Sequence, residues 1–182
     1  MAVLKRPASL IAVLGLLVWC FSAQAAGLVL QENEIKAGML YNFLKYIEWP
    51  DEKLGASPAI SICLFGGDPF KGYLDKTRGK TVHQKPITVK NVSSAQEVSL
   101  CNLLYISDGK REQWAAIAPQ LKGRGVLTVS SFQGFARGGG MIEFGRENER
   151  IKVMLNLGAV KGASLKVQPR LLRLVEVVEG RE

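Results

Sequence analysis

The chain has 182 residues, of which 47% are hydrophobic and 22% charged, and its 24 Lys and Arg outnumber its 16 Asp and Glu. That balance is globular and excludes a disordered or low-complexity chain. One histidine and three cysteines, with no C-x-x-C spacing, argue against a metal centre or a bound cofactor.

In chain order, the first 25 residues read as a secretory leader. Lys5 and Arg6 precede an apolar run from Leu10 to Trp19, and Ser22-Ala23-Gln24-Ala25 supplies small residues at A-x-A spacing. The run is about 10 residues, against the ~20 that a spanning helix needs. Cleavage after Ala25 is expected. It would remove Cys20, whose bulky neighbour Trp19 argues against a lipoprotein signal. Residues 26–182 are then expected to form a single domain, and the net charge falls from +8 to +6 with the loss of Lys5 and Arg6.

Residues 32–48 have the spacing of an amphipathic helix. Ile35, Met39, Phe43 and Ile47 recur every fourth residue, and Leu40, Leu44 and Tyr46 widen the stripe. Pro50 ends it, and Trp49 before the proline is pushed toward extended backbone. Ile60 to Phe65 is a strand stopped by Gly66-Gly67. Asp68 then caps a short helix that begins at Pro69 and runs to about Lys76. A strand over Pro86 to Lys90, a helical connection over Ser94 to Val98 and a strand over Asn102 to Ile106 follow.

Asp108 opens a helix through Trp114, Ile117 and Leu121, and Val126 to Val129 is another apolar strand. Short apolar strands alternating with helices predict an α/β fold, a mainly parallel sheet with helices on both faces. Met141 to Phe144 and Ile151 to Leu155, joined by the polar stretch 145–150, predict an antiparallel C-terminal hairpin on a solvent edge. Asn156 caps a short helix ending at Gly162. Pro169 opens a last helix carrying Leu171, Leu174, Val175 and Val178.

No catalytic set is present. His83 lies in a polar stretch and reads as an incidental surface residue. Gly79-Lys80-Thr81 lacks the first glycine of a phosphate loop, since Leu74 stands there. Glu48, Asp51 and Glu52 read as solubilising charges. Export argues against a nucleic-acid partner, so the spread basic charge is either a solvated surface or an attraction to an acidic partner or ligand. Cys63 and Cys101 are the two cysteines left after export. An even count in an oxidising compartment favours a bridge closing 38 residues, worth about 4 kcal/mol by chain entropy; two buried free thiols are the alternative. The loop from Ser131 to Gly140 carries four glycines and two phenylalanines, which either plug a core edge or face a ligand or partner.

These motifs, in order, resemble one family. Tyr41-Asn42-Phe43 with Trp49-Pro50, Ile62-Cys63-Leu64-Phe65-Gly66, Asp68-Pro69-Phe70 and Cys101 through Ser107 carry the first half of the likeness. Val126 through Ser130, Gly134-Phe135-Ala136, Gly139 through Phe144 and Leu171 through Leu174 carry the second. The chain is similar, over roughly residues 32–178, to the YfiR family of periplasmic repressors.

The resemblance implies a non-catalytic periplasmic α/β sandwich, often dimeric. Such a protein binds the periplasmic sensor region of an inner-membrane diguanylate cyclase and holds it inactive, lowering cyclic di-GMP and biofilm formation. An outer-membrane lipoprotein can sequester it. Cys63 and Cys101 match the family's disulfide, whereas a second bridge of some members would fall near Gly138 and Phe144, where no cysteine stands. The expected partner-binding residues are Tyr41, Lys45, Glu48 and Trp49 on the first helix, with Phe132, Phe135 and Arg137 on the glycine loop. A small-ligand-binding sensory module of another membrane signalling protein is the alternative reading.

Overall fold

The computed structural model describes residues 31–180, apart from Ala56. The leader assigned to residues 1–25, with Cys20, lies outside the described residues. Helix α1 covers residues 31–46 and ends against β1 (Ile47–Glu48), which is followed by the short α2 (Asp51–Gly55). The strands that follow are β2 (Ile60–Phe65), β3 (Thr81–Val82), β4 (Lys85–Val92), β5 (Leu103–Ile106) and β6 (Leu127–Ser130). The C-terminal third adds β7 (Ile142–Glu147), β8 (Arg150–Asn156), β9 (Lys166–Val167) and β10 (Glu176–Val178). Helices α3 (Ala95–Ser99), α4 (Arg111–Leu121), α5 (Leu157–Gly162) and α6 (Pro169–Leu172) complete the described order.

The main sheet has eight strands in the order β10-β8-β7-β6-β5-β2-β4-β3. Neighbours β4, β2, β5, β6 and β7 run parallel, β7 and β8 form the antiparallel hairpin, and β3 pairs antiparallel with β4. This is the mainly parallel α/β architecture expected from the apolar runs. Period-two alternation sorts side chains to two layers. Ile60, Ile62 and Leu64 of β2, with Leu103 and Tyr105 of β5, join the core under α1, α5 and α6. Cys63, Phe65, Leu104 and Ile106 join the opposite core under α3 and α4. The disulfide Cys63–Cys101 lies in that second layer, fully buried, with its Cα atoms 6.0 Å apart.

Several expectations are corrected. On α1 the fully buried line is Leu40 and Leu44, continued by Ile47 of β1 and flanked by Ala37 and Phe43, while Ile35 is 45% exposed. A strict four-residue repeat drifts about 40° per step on a helix of 3.6 residues per turn, so Ile35 falls off the core. After Asp68 the chain makes turns, not a helix, before a single 3-10 segment over Tyr73–Thr77, because Lys71 and Gly72 take positive φ. Asp68 still caps, its carboxylate accepting from the Phe70 and Gly72 N–H groups at 2.8 and 2.9 Å.

The β7–β8 strands extend through most of the stretch read as loop. The turn itself is two residues, Asn148 and Glu149, both at positive φ as a tight hairpin requires. The last helix stops after four residues, and the chain becomes β10, parallel to β8, so the hairpin is not the sheet edge. Unpaired backbone groups along β8 and the β-branched Val175, Val177 and Val178 favour that outcome over continued helix. Leu174, expected on the buried stripe, is 68% exposed.

His83 is also reassigned. It sits at positive φ in the β3–β4 turn, and its Nε2 lies 2.9 Å from the Leu44 carbonyl and 3.1 Å from that of Ile47. As an Nε2–H donor it satisfies carbonyls left open at the C-terminal end of α1. Among the described residues, no helix is long and apolar enough to cross a membrane.

Candidate partner-binding surfaces

The glycine loop of residues 131–140 follows β6 and is built inward. Phe135 is fully buried and Phe132 is 8% exposed. Their rings meet edge to face at 4.9 Å, and Phe135 lies 4.7 Å from the Trp114 ring of α4. Gly140 permits this, because a Cβ there would sit 2.3 Å from the Phe135 ring. The buried Glu143 of β7 clamps the backbone from below. Its Oε1 accepts from the Gly134 N–H and its Oε2 from the Ala136 N–H, both at 3.0 Å, while Asn156 Nδ2 donates to the Ala136 carbonyl at 2.9 Å. Arg111 stacks over Phe132 from outside, 5.0 Å from its centroid. Of the three loop residues expected to meet a partner, Arg137 alone is exposed. It borders a cleft of about 460 Å³ lined also by Gly134, Gly138, Glu179 and Gly180.

Trp49 is likewise a core residue. It is 5% exposed, and its indole N–H donates to the Gly125 carbonyl at 2.9 Å, with His83 edge-on at 5.8 Å. The residue before Pro50 does leave the helix, but the turn carries the ring inward. Phe135 therefore offers a docking partner no side-chain surface and Trp49 and Phe132 very little, and the directly accessible set reduces to Tyr41, Lys45, Glu48 and Arg137.

The outer face of α1 is built differently. Tyr41 and Tyr46 are half-buried, since their positions flank the Leu40–Leu44 line, and their rings lie flat enough to carry cations. Lys45 Nζ is 5.1 Å from the Tyr41 centroid and 5.8 Å from that of Tyr46. Lys80, just before β3, approaches Tyr41 at 5.2 Å, and Arg170 of α6 approaches Tyr46 at 5.5 Å. The result is an alternating row, Lys80–Tyr41–Lys45–Tyr46–Arg170.

Glu48 sits at the rim, exposed on β1 opposite Lys166 and accepting from Gln168 Nε2 at 3.4 Å. Toward the N-terminal end of α1, Lys76 stacks on Tyr73 and pairs with Glu34 at 2.9 Å, a hydrogen bond that raises its amine above the ordinary lysine range. Tyr46, Lys80 and Arg170 were not among the expected residues. The Tyr41, Lys45, Tyr46 spacing on one helix was a usable signal for Tyr46, whereas the two added cations arrive from distant segments.

The two candidate regions are apart. Phe132 and Phe135 belong to the core layer under α4, and the tyrosines to the layer under α1. They touch at one seam, where Ser131 Oγ accepts from Lys36 Nζ at 3.1 Å and lies 2.9 Å from the Tyr105 hydroxyl. Lys45 stands about 14 Å further along α1 from Lys36 at that seam, at 1.5 Å per residue.

Across residues 33–176 the sequence matches the DUF4154 family, described as YfiR/HmsC-like. The chain belongs to that YfiR/HmsC-like family. The family is one of periplasmic regulators in diguanylate cyclase pathways, and the buried disulfide fits an oxidising compartment. No curated protein matches the chain. Among solved structures, an ABC domain in complex with L-Trp from Streptococcus pneumonia aligns with a TM-score of 0.47 and 9% identity. That alignment covers 66% of this chain and 55% of that one, and so loose a likeness adds nothing to the assignment.

Proposed function

We propose that this YfiR/HmsC-like chain is a non-enzymatic periplasmic repressor that occupies the sensor region of an inner-membrane diguanylate cyclase. Residues 26–182 act as its single mature domain once residues 1–25 are removed. The observation that carries the reading is the family match along almost the whole described chain, joined to an accessible basic and aromatic face on α1. Tyr41, Lys45 and Glu48 contribute the contact surface, with Arg137 as a second, separate contact. Trp49, Phe132 and Phe135 support it from within. Release by an outer-membrane lipoprotein and pairing with a second copy belong to the same proposal.

The test is deletion of the gene with cyclic di-GMP measured in the cell, followed by binding of the purified mature chain to the periplasmic regions of the host's membrane cyclases. A rise in cyclic di-GMP and capture of one such region are expected. An unchanged level with no captured region overturns the reading. One observation favours small-ligand sensing instead, the cleft beside Arg137. Thermal stabilisation by nucleotides or aromatic amino acids, abolished by Arg137→Ala, would support it.

A further inference from the structure

The cations of the α1 row are held differently from the ion-paired cations of this surface. Lys36, Lys76, Arg78, Arg146 and Lys152 each pair with a carboxylate. Among the described residues, Lys45, Lys80 and Arg170 form no ion pair and rest on tyrosine faces instead. A ring quadrupole orients a cation without neutralising it, and only one side of an ammonium or guanidinium is taken by the ring. The remaining N–H donors stay available to an external acceptor.

The row is also convergent. Its members come from α1, from the segment before β3 and from α6, so ordinary solvation of one helix face does not account for it. Its base is held in place, because His83 fixes the end of α1 and β1 pairs with β9.

We infer that this row receives a carboxylate-rich, extended segment of the partner protein, each carboxylate seated on a cation that rests on a phenol ring. The inference rests on the reading of the chain as a partner-binding regulator and names the chemistry of that partner. Two cations sharing one ring stand at most about 10 Å apart across Tyr41 and about 11 Å across Tyr46, which is within reach of acids two or three residues apart on a chain rising ~3.3 Å per residue. Arg and Tyr are the residue types that concentrate binding energy in protein interfaces. An anionic lipid surface is the poorer fit, because an interfacial helix must offer an apolar face to the acyl boundary and α1 turns its own to the core.

The experiment uses the mature chain and three probes: a twelve-residue peptide alternating Glu and Ser, vesicles containing phosphatidylglycerol, and the periplasmic region of the cyclase. The variant is K45E/K80E/R170E, with K90E/K122E/R124E as a charge-matched control on exposed residues elsewhere. The wild type and the control should bind the acidic peptide with affinity that falls with salt. The K45E/K80E/R170E variant should lose about tenfold or more in association rate while its melting temperature and near-UV spectrum stay unchanged. K45Q/K80Q/R170Q, which adds no negative charge, should show a smaller loss in the same direction.

Vesicle binding without peptide binding overturns the inference in favour of a membrane surface. Equal weakening by the charge-matched control reduces it to general charge and also overturns it. If the cyclase region binds the wild type and K45E/K80E/R170E alike, the row is wrong and the repressor reading stands. If no cyclase region binds the wild type while the acidic peptide does, the repressor reading fails and the row survives.

Discussion

The glycine loop after β6 and the outer face of α1 are both made of aromatic and basic residues, and the fold treats them in opposite ways. In the loop the rings go in: Phe135 is fully buried beneath glycines, and Glu143 holds the backbone over it. On the helix the rings stay half out, because Tyr41 and Tyr46 flank the apolar line and are covered by cations instead of by the sheet. The difference shows that aromatic content alone does not mark an accessible surface. A hydroxyl that can face water, and a position beside the buried line rather than on it, separate the two cases.

Three measurements test that contrast, taken from the largest effect down. Phe135→Ala should cost about 3–5 kcal/mol and lower the melting temperature by roughly 10 °C, read by urea and thermal unfolding. A loss below about 1 kcal/mol would mean that the ring is a surface residue after all. Glu143→Gln keeps the shape but turns an amide NH2 toward one of the two backbone N–H groups. It should cost about 1–3 kcal/mol. Faster proteolysis within residues 131–140 should accompany it, with α1 unaffected.

The third measurement probes the seam at Ser131. Burial pushes the Tyr105 phenol up to about 12, against a weaker downward pull from its hydrogen bond to Ser131. The unfolded chain ionises this group first, near pH 10. Stability from Tyr105 is therefore fully present below about pH 10 and declines as the pH rises toward the folded value. Urea midpoints collected from pH 9 to 11.5 should fall less steeply for Tyr105→Phe than for the wild type. Identical slopes would show that the seam is open to solvent.

Much of the central fold was legible because β2, β5 and β6 are buried on both faces and so read as continuous apolar runs. The small pieces were not. Two residues of β1, β3 or β9 carry no periodicity, and their pairing is decided by tertiary neighbours. β10 was misread because Leu171, Leu174, Val175 and Val178 fit a helical period, and three residues of strand cannot contradict it in sequence. At the candidate surface, Tyr41 and Lys45 followed from helix spacing. Lys80 and Arg170 are brought to them only by the packing of α6 and the β3 turn, and Trp49 looked accessible because Pro50 fixes where the helix ends without fixing the direction of the turn.

The long reach of α1 has a kinetic consequence. Phe43 stacks on Phe144 at 5.8 Å, and Glu32 pairs with Arg146 across 114 residues of sequence. A helix made first must wait for β7, nearly the last part of the sheet, before its apolar side is covered. Such high contact order slows folding and leaves a sticky amphipathic segment in the open meanwhile. A chain that emerges N-terminus first would leave the apolar side of α1 uncovered until residue 146 arrives.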